Sequence, residues 1–382
     1  MSWKTIVLCA GLFSLSLLAP SLAGAQEPAK TEAKPQVEVV FCLDTTGSMG
    51  GLINAAKQKI WAISNQIAGG KPTPNLKIGL VAYRDRGDAY VTKVIDLTDD
   101  LDTIHKHLMG FQAQGGGDFP ESVNKALFDS VHQIKWSTDK KTLKMIFLVG
   151  DAPPHMDYKD DVQYPETCKV AVAKDIIINT VQCGNHAQTK KFWLDICRLG
   201  EGSYVEISAQ GGPVVAVATP FDGDLAKINA ELAKSTVVFG DASRQKESKA
   251  LATSAAGLAP AAAADRASFN AKSEKQAAYD LLDNIKDGKV QLEKLKESEL
   301  PEELKGKTLE QQKEFCENLA KRRVELNKQV TELAKKRSDF IAKKLAEDTK
   351  NVARDSFDNQ VLRILETQAR RNGIIYSTEE KK

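Results

Sequence analysis

Four long apolar runs, separated by segments with helical spacing, constrain the fold of this chain more than any other feature. They occupy residues 37–43, 76–83, 143–149 and 176–182, and they are largely apolar at successive rather than alternate positions. Strands of this kind are buried on both faces, as in a parallel sheet covered by helices. In segment 52–67, apolar residues recur every three or four positions, which predicts an amphipathic helix. The pattern predicts an α/β fold with a doubly wound, mostly parallel sheet flanked by helices.

A polar loop follows the first apolar run and carries the sequence Asp44-Thr45-Thr46-Gly47-Ser48. Alternate residues of an extended turn point the same way, so the carboxylate of Asp44 and the hydroxyls of Thr46 and Ser48 can converge. Three oxygen donors of this type suit a small divalent cation such as Mg²⁺. The alternative interpretation is a helix N-cap followed by ordinary turn residues.

Two further carboxylates fall in loops that the strand order brings to the same edge of the sheet. Asp118 follows three glycines at 115–117, and Asp151 follows the third apolar run directly after Gly150. Ligands of open α/β sheets bind beyond the carboxyl ends of the strands. The spacing therefore favours a metal site at this edge over an isolated helix cap.

Together, these loops resemble the metal-ion-dependent adhesion site of the von Willebrand factor A domain. The order of predicted elements from residue 37 to 234 is similar to that family as well. The resemblance implies a divalent cation, with Mg²⁺ expected and Mn²⁺ or Ca²⁺ as alternatives. It also implies a protein partner, whose acidic side chain completes the coordination in adhesion-type members. The ligands it implies are Asp44, Thr46, Ser48, Asp118 and Asp151.

Asp118 departs from the family pattern, because many members have Thr at this position. With Asp44 and Asp151 it gives three carboxylates, which would offset the charge of a divalent ion. The substitution can therefore tighten metal binding while weakening the attraction of an acidic partner. Metal binding is better founded than capture of a carboxylate.

The N-terminus has the features of a secretory signal peptide. Lys4 precedes an apolar stretch at 6–18, and small residues lead to a cleavage site after Ala25. An uncleaved anchor is the alternative, but the stretch is short for a hydrocarbon core of ~30 Å. We expect a signal peptide at 1–25, a secreted or periplasmic mature protein, and no later transmembrane span.

We divide the mature chain into a polar tether, an A domain, an Ala-rich flexible linker, a helical module and a tail. Within the module, Leu319, Leu326, Leu333 and Phe340 lie seven residues apart, which is typical of a coiled coil or helical hairpin. A lone amphipathic helix that folds back on the module is the alternative. The predicted boundaries are 26–36, 37–240, 241–267, 268–376 and 377–382, in that order.

Six cysteines occur in the sequence, and Cys9 leaves with the predicted signal peptide. Cys183 and Cys197 are expected to form a disulfide if the compartment is oxidising. Cys42 and Cys168 are equally compatible with small buried thiols in a core.

Two short segments near these loops receive ordinary interpretations. Residues 86–88 spell Arg-Gly-Asp, which we interpret as turn chemistry between two strands rather than an adhesion signal. His155, four residues after Asp151, can face the metal edge of the sheet, but we expect a solvated loop histidine.

Composition and motifs favour a binding protein over an enzyme. The formal net charge is +2, and charged residues make up 27% of the chain, which gives no case for a nucleic-acid partner. The sequence lacks a nucleophile elbow, a zinc-protease motif and a phosphate loop. We expect a non-enzymatic protein that mediates metal-dependent protein–protein interaction or adhesion.

Two other functions remain open. One is an auxiliary subunit or a metal-assisted hydrolase of the cell envelope, for which Asp118 or Glu121 is the candidate general base. The other is a structural envelope protein that self-associates through its C-terminal helices.

Overall fold

The structure, a computed structural model, describes residues 34–209, 218–347 and 357–376. The predicted signal peptide, the tether before residue 34 and the tail after residue 376 lie outside these ranges. The described part from residue 34 onward forms one compact unit. Within that part, no helix is both long and apolar enough to cross a lipid bilayer.

A single six-stranded sheet forms the centre of the molecule. Its strands are β1 (Gln36–Asp44), β2 (Asn75–Tyr83), β3 (Thr92–Thr98), β4 (Leu143–Gly150), β5 (Ile176–Cys183) and β6 (Glu201–Ile207). They lie in the order β3-β2-β1-β4-β5-β6, and only the β2–β3 pair is antiparallel. The predicted doubly wound, mostly parallel sheet is confirmed.

Eleven α-helices and four short 3-10 helices are present in the described residues. The helices are α1 (Gly50–Ile67), α2 (Leu101–Gly110), α3 (Val123–His132), α4 (Tyr164–Ala173), α5 (Ala187–Leu199), α6 (Asp222–Lys234), α7 (Ala242–Ala256), α8 (Pro260–Ser273), α9 (Leu281–Lys286), α10 (Leu309–Glu347) and α11 (Phe357–Ala369).

The sheet has an apolar core on each face. Phe41 and Leu43 of β1 face the core that contains α1, α2 and α11, whereas Val40 and Cys42 face the core of α3, α4 and α5. All four side chains are nearly inaccessible to solvent. Because successive residues of a strand point to opposite faces, burial on both sides requires the continuous apolar run seen in the sequence.

The strand order reverses between β1 and β4, and this places the polar loops in one crevice. The chain moves from β1 outward through β2 and β3, then returns to β4 on the other side of β1. Loops that leave the carboxyl ends of two such strands diverge and leave a crevice, where ligands of open α/β sheets bind. Asp44 ends β1 and Gly150 ends β4, so Asp44 and Asp151 lie at this crevice.

The prediction of a flexible linker at 241–267 is wrong. Helices α7 and α8 occupy most of this segment, and Ala263, Ala264 and Ala267 of α8 are buried. Alanine has the highest helix propensity, and its small side chain lets neighbouring helices approach closely. The alanine-rich composition therefore marks a buried helix.

The long helix predicted near the C-terminus is present as α10, and its apolar stripe packs against the same chain. Leu326 and Val330 are buried with Leu333 beside them, in a cluster shared with α6 and α8. The alternative of a helix that folds back on its own module holds for the first part of α10, where Phe315 and Leu319 contact the cluster around Leu292. The middle of α10 packs instead on α6 and α8, which lie mostly outside the predicted module. The described residues show no second helix paired with α10 as a coiled coil.

Two arginines that interrupt the α10 stripe are buried in ion pairs. Arg323 binds both carboxylate oxygens of Asp280, at 2.9 and 2.7 Å. Arg337 contacts Asp222 at 2.6 Å and Asp265 at 2.8 Å. The irregular positions of the heptad pattern are thus polar anchors of α10.

Cys183 and Cys197 are free, so the predicted disulfide is wrong in this structure. Cys183 on β5 belongs to the core around α1, whereas Trp193 and Ile196 of α5 pack into the opposite core. A helix and a thiol on opposite faces of a sheet cannot be bridged without moving the backbone. Both thiols are buried, and burial raises the pKa of Cys197.

Candidate metal centre

The loop after β1 directs its hydroxyl groups toward Asp44. The backbone N–H and the hydroxyl of Thr46 both donate to Asp44 Oδ1, at 2.8 and 2.6 Å. The Ser48 Oγ lies 3.4 Å from the Thr46 Oγ1. Asp44 is fully buried, and its other oxygen, Oδ2, has no hydrogen-bond partner among the described residues.

A helix cap does not explain this loop. The short 3-10 helix Gly47–Met49 begins after Thr46, whose side chain makes no capping hydrogen bond, and Met49 occupies the N-cap position of α1. The side-chain oxygen of an N-cap residue would accept a hydrogen bond from a free backbone N–H group of the first turn. The Thr46 hydroxyl donates to the Asp44 carboxylate instead, and Ser48 to Asp151, which favours the metal-site interpretation.

Asp151 joins the loop from the end of β4. Its carboxylate accepts a hydrogen bond from the Ser48 side chain. Glycine at position 150 permits this approach, since a Cβ there would lie 2.4 Å from the Tyr83 hydroxyl and 3.1 Å from Asp44 Oδ2. Such a contact excludes a side chain, so Gly150 is needed for β1 and β4 to converge.

The Gly-rich segment lies along the β1 loop. The Gly47 N–H donates to Gly115 O at 3.1 Å, and the Gly116 N–H donates to Asp88 Oδ2 at 3.1 Å. Gly115 and Gly116 have φ values of 81° and 83°, a region that glycine enters without strain. Asp88 is the acidic residue of the Arg-Gly-Asp tripeptide, so its carboxylate holds this loop in place.

Glu121 is buried in the same crevice, which its sequence context did not predict. Its Oε2 has no hydrogen-bond partner within the described part of the chain. Burial, together with the charges of Asp44, Asp85, Asp88 and Asp151, raises the pKa of Glu121 to about 9. A group with this pKa is protonated at neutral pH and is a poor general base.

The electrostatics of the crevice fit a bound cation. Burial raises the pKa of Asp44 to about 7, although the hydrogen bonds from Thr46 oppose the change. Burial also raises the pKa of Asp151, with Ser48 opposing. A cation among these carboxylates would favour their ionised forms and would give Asp44 Oδ2 a partner. Because every donor is an oxygen, the set fits a hard divalent ion.

The structure places Asp118 beside a different group of residues. Its side chain is 65% exposed, and its Oδ2 lies 3.7 Å from His155 Nε2. His155 Nε2 is also 3.3 Å from Asp85 Oδ2. His155 is only 4% exposed, so the expectation of a solvated loop histidine is wrong. The loop thus brings Asp118 to Asp85 and His155, whereas Asp44, Thr46, Ser48 and Asp151 converge at β1 and β4.

Comparison with known proteins identifies the part of the chain that carries both groups. The family model of the von Willebrand factor A domain matches residues 38–218. The matched span includes all five predicted ligands. Residues 38–218 form a von Willebrand factor A domain.

Individual relatives cover only parts of the chain. Over 199 residues the protein is 22% identical to an ariadne-like RING finger protein of Acanthamoeba polyphaga mimivirus, which covers 48% of this chain and 19% of that protein. Over 122 residues it is 37% identical to von Willebrand factor A domain-containing protein 7 of Rattus norvegicus, covering 32% of this chain and 13% of the relative. The chain therefore spans less than a fifth of the length of these curated relatives.

A solved structure similar to the A domain is that of the conserved hypothetical protein BatB from Bacteroides thetaiotaomicron. The superposition covers 45% of this chain and 90% of that chain, with 16% sequence identity and a TM-score of 0.36.

The sequence analysis named Glu121 as a candidate base and discussed His155, but it missed Asp85 and the burial of all three side chains. Asp85 comes two residues after the end of β2, at the same sheet edge as Asp44 and Asp151. Glu121 follows Asp118 by three residues in the same loop. Nothing in the sequence around His155 distinguishes a buried ring from a solvated one.

Proposed function

We propose that the A domain binds a divalent cation at the carboxyl ends of β1 and β4 and engages a protein partner through this edge. The buried Asp44 Oδ2, which lacks a hydrogen-bond partner in the described chain, is the observation that carries the proposal. The other oxygen of this carboxylate accepts from the Thr46 hydroxyl, which lies 3.4 Å from the Ser48 hydroxyl, and the charge of Asp151 acts on Asp44 as well. Buried polar atoms are nearly always satisfied, so an orphaned carboxylate oxygen indicates an ion or water.

Asp44, Thr46, Ser48 and Asp151 would hold the ion, directly or through water. Mg²⁺ is our first candidate because the donors are all oxygens, and Mn²⁺ or Ca²⁺ are the alternatives. When bound, the ion would supply a coordination position for an acidic group of the partner. Because the carboxylates of Asp44 and Asp151 reduce the positive charge of the site, contacts around the ion should contribute much of the affinity.

Exposed apolar side chains beside the crevice support a role in protein binding. Phe119 follows Asp118 and is 43% exposed, and Met156 follows His155 and is also 43% exposed. Large apolar side chains in acidic loops at a ligand-binding edge are typical of interaction surfaces. We propose a non-enzymatic role, since the sequence lacks a nucleophile elbow, a zinc-protease motif and a phosphate loop.

We also propose that the protein is exported, on the basis of the predicted signal peptide at 1–25. It would act in the periplasm or outside the cell. The apolar stripe of α10, which suggested self-association, packs against α6 and α8. We therefore base no assembly on that helix.

A pull-down from the protein's own cell envelope, with and without EDTA, tests the proposal. We expect a partner that wild type captures only without EDTA and that the Asp44→Ala variant fails to capture. Asp139→Ala is the matched control, because Asp139 is exposed at the opposite edge of the sheet, before β4. A partner captured equally by wild type, Asp44→Ala and EDTA-treated protein would contradict metal-dependent binding.

A further inference from the structure

Asp85, Asp118 and His155 form a second cluster of metal-ligating groups beside the β1 loop. One ligand atom from each residue lies within 4.8 Å of the other two. Asp85 and His155 are each 4% exposed, whereas the Asp118 side chain is 65% exposed. The cluster therefore has a rigid buried side and one flank that opens to solvent.

The hydrogen bonds of His155 leave one ring nitrogen without a partner. His155 Nδ1 lies 2.8 Å from Oδ1 of Asp157, whose side chain is 75% exposed. An ionised carboxylate only accepts hydrogen bonds, so Nδ1 carries a hydrogen, and Nε2 offers a lone pair when the ring is neutral. No residue that the structure describes hydrogen-bonds to this buried Nε2.

A lone pair in that position requires a positively charged neighbour. Nε2 faces the carboxylates of Asp85 and Asp118 at 3.3 and 3.7 Å. Three electron-rich atoms that converge, two of them buried, repel one another unless a proton or a metal ion lies among them. Metal-binding histidines commonly donate their other ring N–H to a carboxylate, as His155 donates to Asp157.

The surrounding residues fix two of the three groups. The ring of Tyr158 stacks on His155 with centroids 3.9 Å apart, and the Tyr158 hydroxyl donates to Asp85 Oδ2 at 2.9 Å. The Ser122 hydroxyl donates to Asp85 Oδ1 at 2.7 Å. Supporting hydrogen bonds of this kind orient ligands before an ion binds.

We propose that Asp85, Asp118 and His155 bind a divalent transition-metal cation such as Zn²⁺, at a site separate from the oxygen-only site at Asp44. Imidazole nitrogen combined with carboxylate oxygen suits Zn²⁺ and its first-row neighbours, whereas Mg²⁺ and Ca²⁺ prefer oxygen alone. Three protein ligands leave a coordination position on the exposed flank, next to Asp118. This assignment moves Asp118 from the first ion, where sequence similarity had placed it, to the second.

Titration of the untagged, EDTA-stripped, full-length protein with Co²⁺ in a large excess of Mg²⁺ tests the proposal. Co²⁺ bound by mixed nitrogen and oxygen ligands absorbs visible light, and added Zn²⁺ should abolish the absorption. We expect one equivalent of Co²⁺ in wild type and none in His155→Gln. Asp157→Ala should weaken binding roughly tenfold or more, because it removes the acceptor that orients the ring.

Two variants keep the test decisive if His155→Gln fails to fold. Asp118→Asn changes an exposed side chain, so the fold should survive while Co²⁺ affinity drops at least about tenfold. Asp44→Ala should retain Co²⁺ binding, because Asp44 belongs to the other site. Absence of Co²⁺ binding in wild type would overturn the proposal and indicate a protonated His155 paired with the two carboxylates. Wild-type affinity in folded Asp118→Asn, or loss of binding in folded Asp44→Ala, would overturn it as well.

Discussion

The side chains of Asn179 and Gln368 exchange two hydrogen bonds, 3.1 and 2.7 Å long, across 189 residues of sequence. Asn179 lies on β5 and Gln368 on α11, and both are buried. The same helix places Phe357 against Phe41 of β1, with ring centroids 6.1 Å apart. Leu365 is completely buried in that core. The C-terminal helix is therefore an integral part of the A domain core.

Truncation of Leu365 to Ala should destabilise the whole A domain. Removing a large side chain from a packed core typically costs about 2–5 kcal/mol, through lost burial and the cavity left behind. Urea unfolding followed by circular dichroism measures the loss. Val324→Ala is the control, because Val324 on α10 is 70% exposed, and its cost should stay within about 0.5 kcal/mol. An unchanged midpoint for Leu365→Ala would contradict the docking of α11.

The docking of α11 also shows where sequence analysis reached its limit. The strands and their order along the chain followed from local patterns. Residues such as Val40 and Phe41 must be buried on opposite faces wherever the sheet forms, so the strand is apolar at successive positions. The partner of an amphipathic helix is not a local property. Nothing near Gln368 in the sequence indicates a contact with Asn179, so the predicted boundary at 240 separated a domain from part of its core.

The residues of the candidate site also fall into those that local patterns predict and those that they do not. Asp44, Thr46 and Ser48 were predictable because they directly follow a buried strand and alternate along one loop. The position of Asp118 was not predictable, because the three glycines that precede it permit many loop conformations. The burial of His155 was not predictable either, because it depends on loop packing that stacks the ring of Tyr158 on His155. Residues placed by strands are thus easier to predict than residues placed by loop packing.

Replacing Arg266 with Met should destabilise the contact between α2 and α8. Arg266 is 1% exposed and makes two 2.8 Å hydrogen bonds to the carboxylate of Asp102, which also accepts from Tyr279. Without the guanidinium, Asp102 becomes an unpaired buried charge, and such losses cost about 3–5 kcal/mol. Urea unfolding at pH 7 measures the change.

The double variant Asp102→Asn/Arg266→Met provides the control for this pair. It removes the unpaired buried charge of Asp102, so it should recover part of the stability that Arg266→Met loses. Strict additivity of the two single substitutions would show that the ion pair contributes no coupling.

Replacing Arg337 with Met should destabilise the protein in a pH-dependent way. Burial raises the pKa of Asp265, and Arg337 is the main group that opposes it. Burial acts in the same direction on Asp222, but the Thr219 amide and Arg337 lower its pKa below the usual value. In the variant, both carboxylates lose the guanidinium, and their folded-state pKa values should rise above the unfolded values. The folded variant then binds protons more tightly than the unfolded chain, so lower pH favours it.

We therefore expect Arg337→Met to cost about 3–5 kcal/mol at pH 7 and clearly less at pH 5, relative to wild type at each pH. Urea unfolding at both pH values measures the difference. Arg322→Met on the same helix is the control, because Arg322 and its partner Glu231 are 67% and 52% exposed. That exposed pair should contribute at most about 1 kcal/mol, with little change between the two pH values. If the stability difference between wild type and Arg337→Met were larger at pH 5 than at pH 7, the proposed role of Arg337 would be contradicted.

Magnesium should stabilise the wild-type protein against heat, but not the Asp44→Asn variant. A ligand that binds only the folded state adds about 2.7 kcal/mol at a concentration of 100 times its Kd. Without metal, Asp44→Asn should be at least as stable as wild type, since Asn keeps an acceptor for Thr46 and removes a buried charge near Asp151. Thermal unfolding with Mg²⁺ and with EDTA measures both effects.

Asp139→Asn should respond to Mg²⁺ like wild type, because Asp139 lies at the opposite edge of the sheet. Equal stabilisation of Asp44→Asn by Mg²⁺ would show that the ion binds elsewhere.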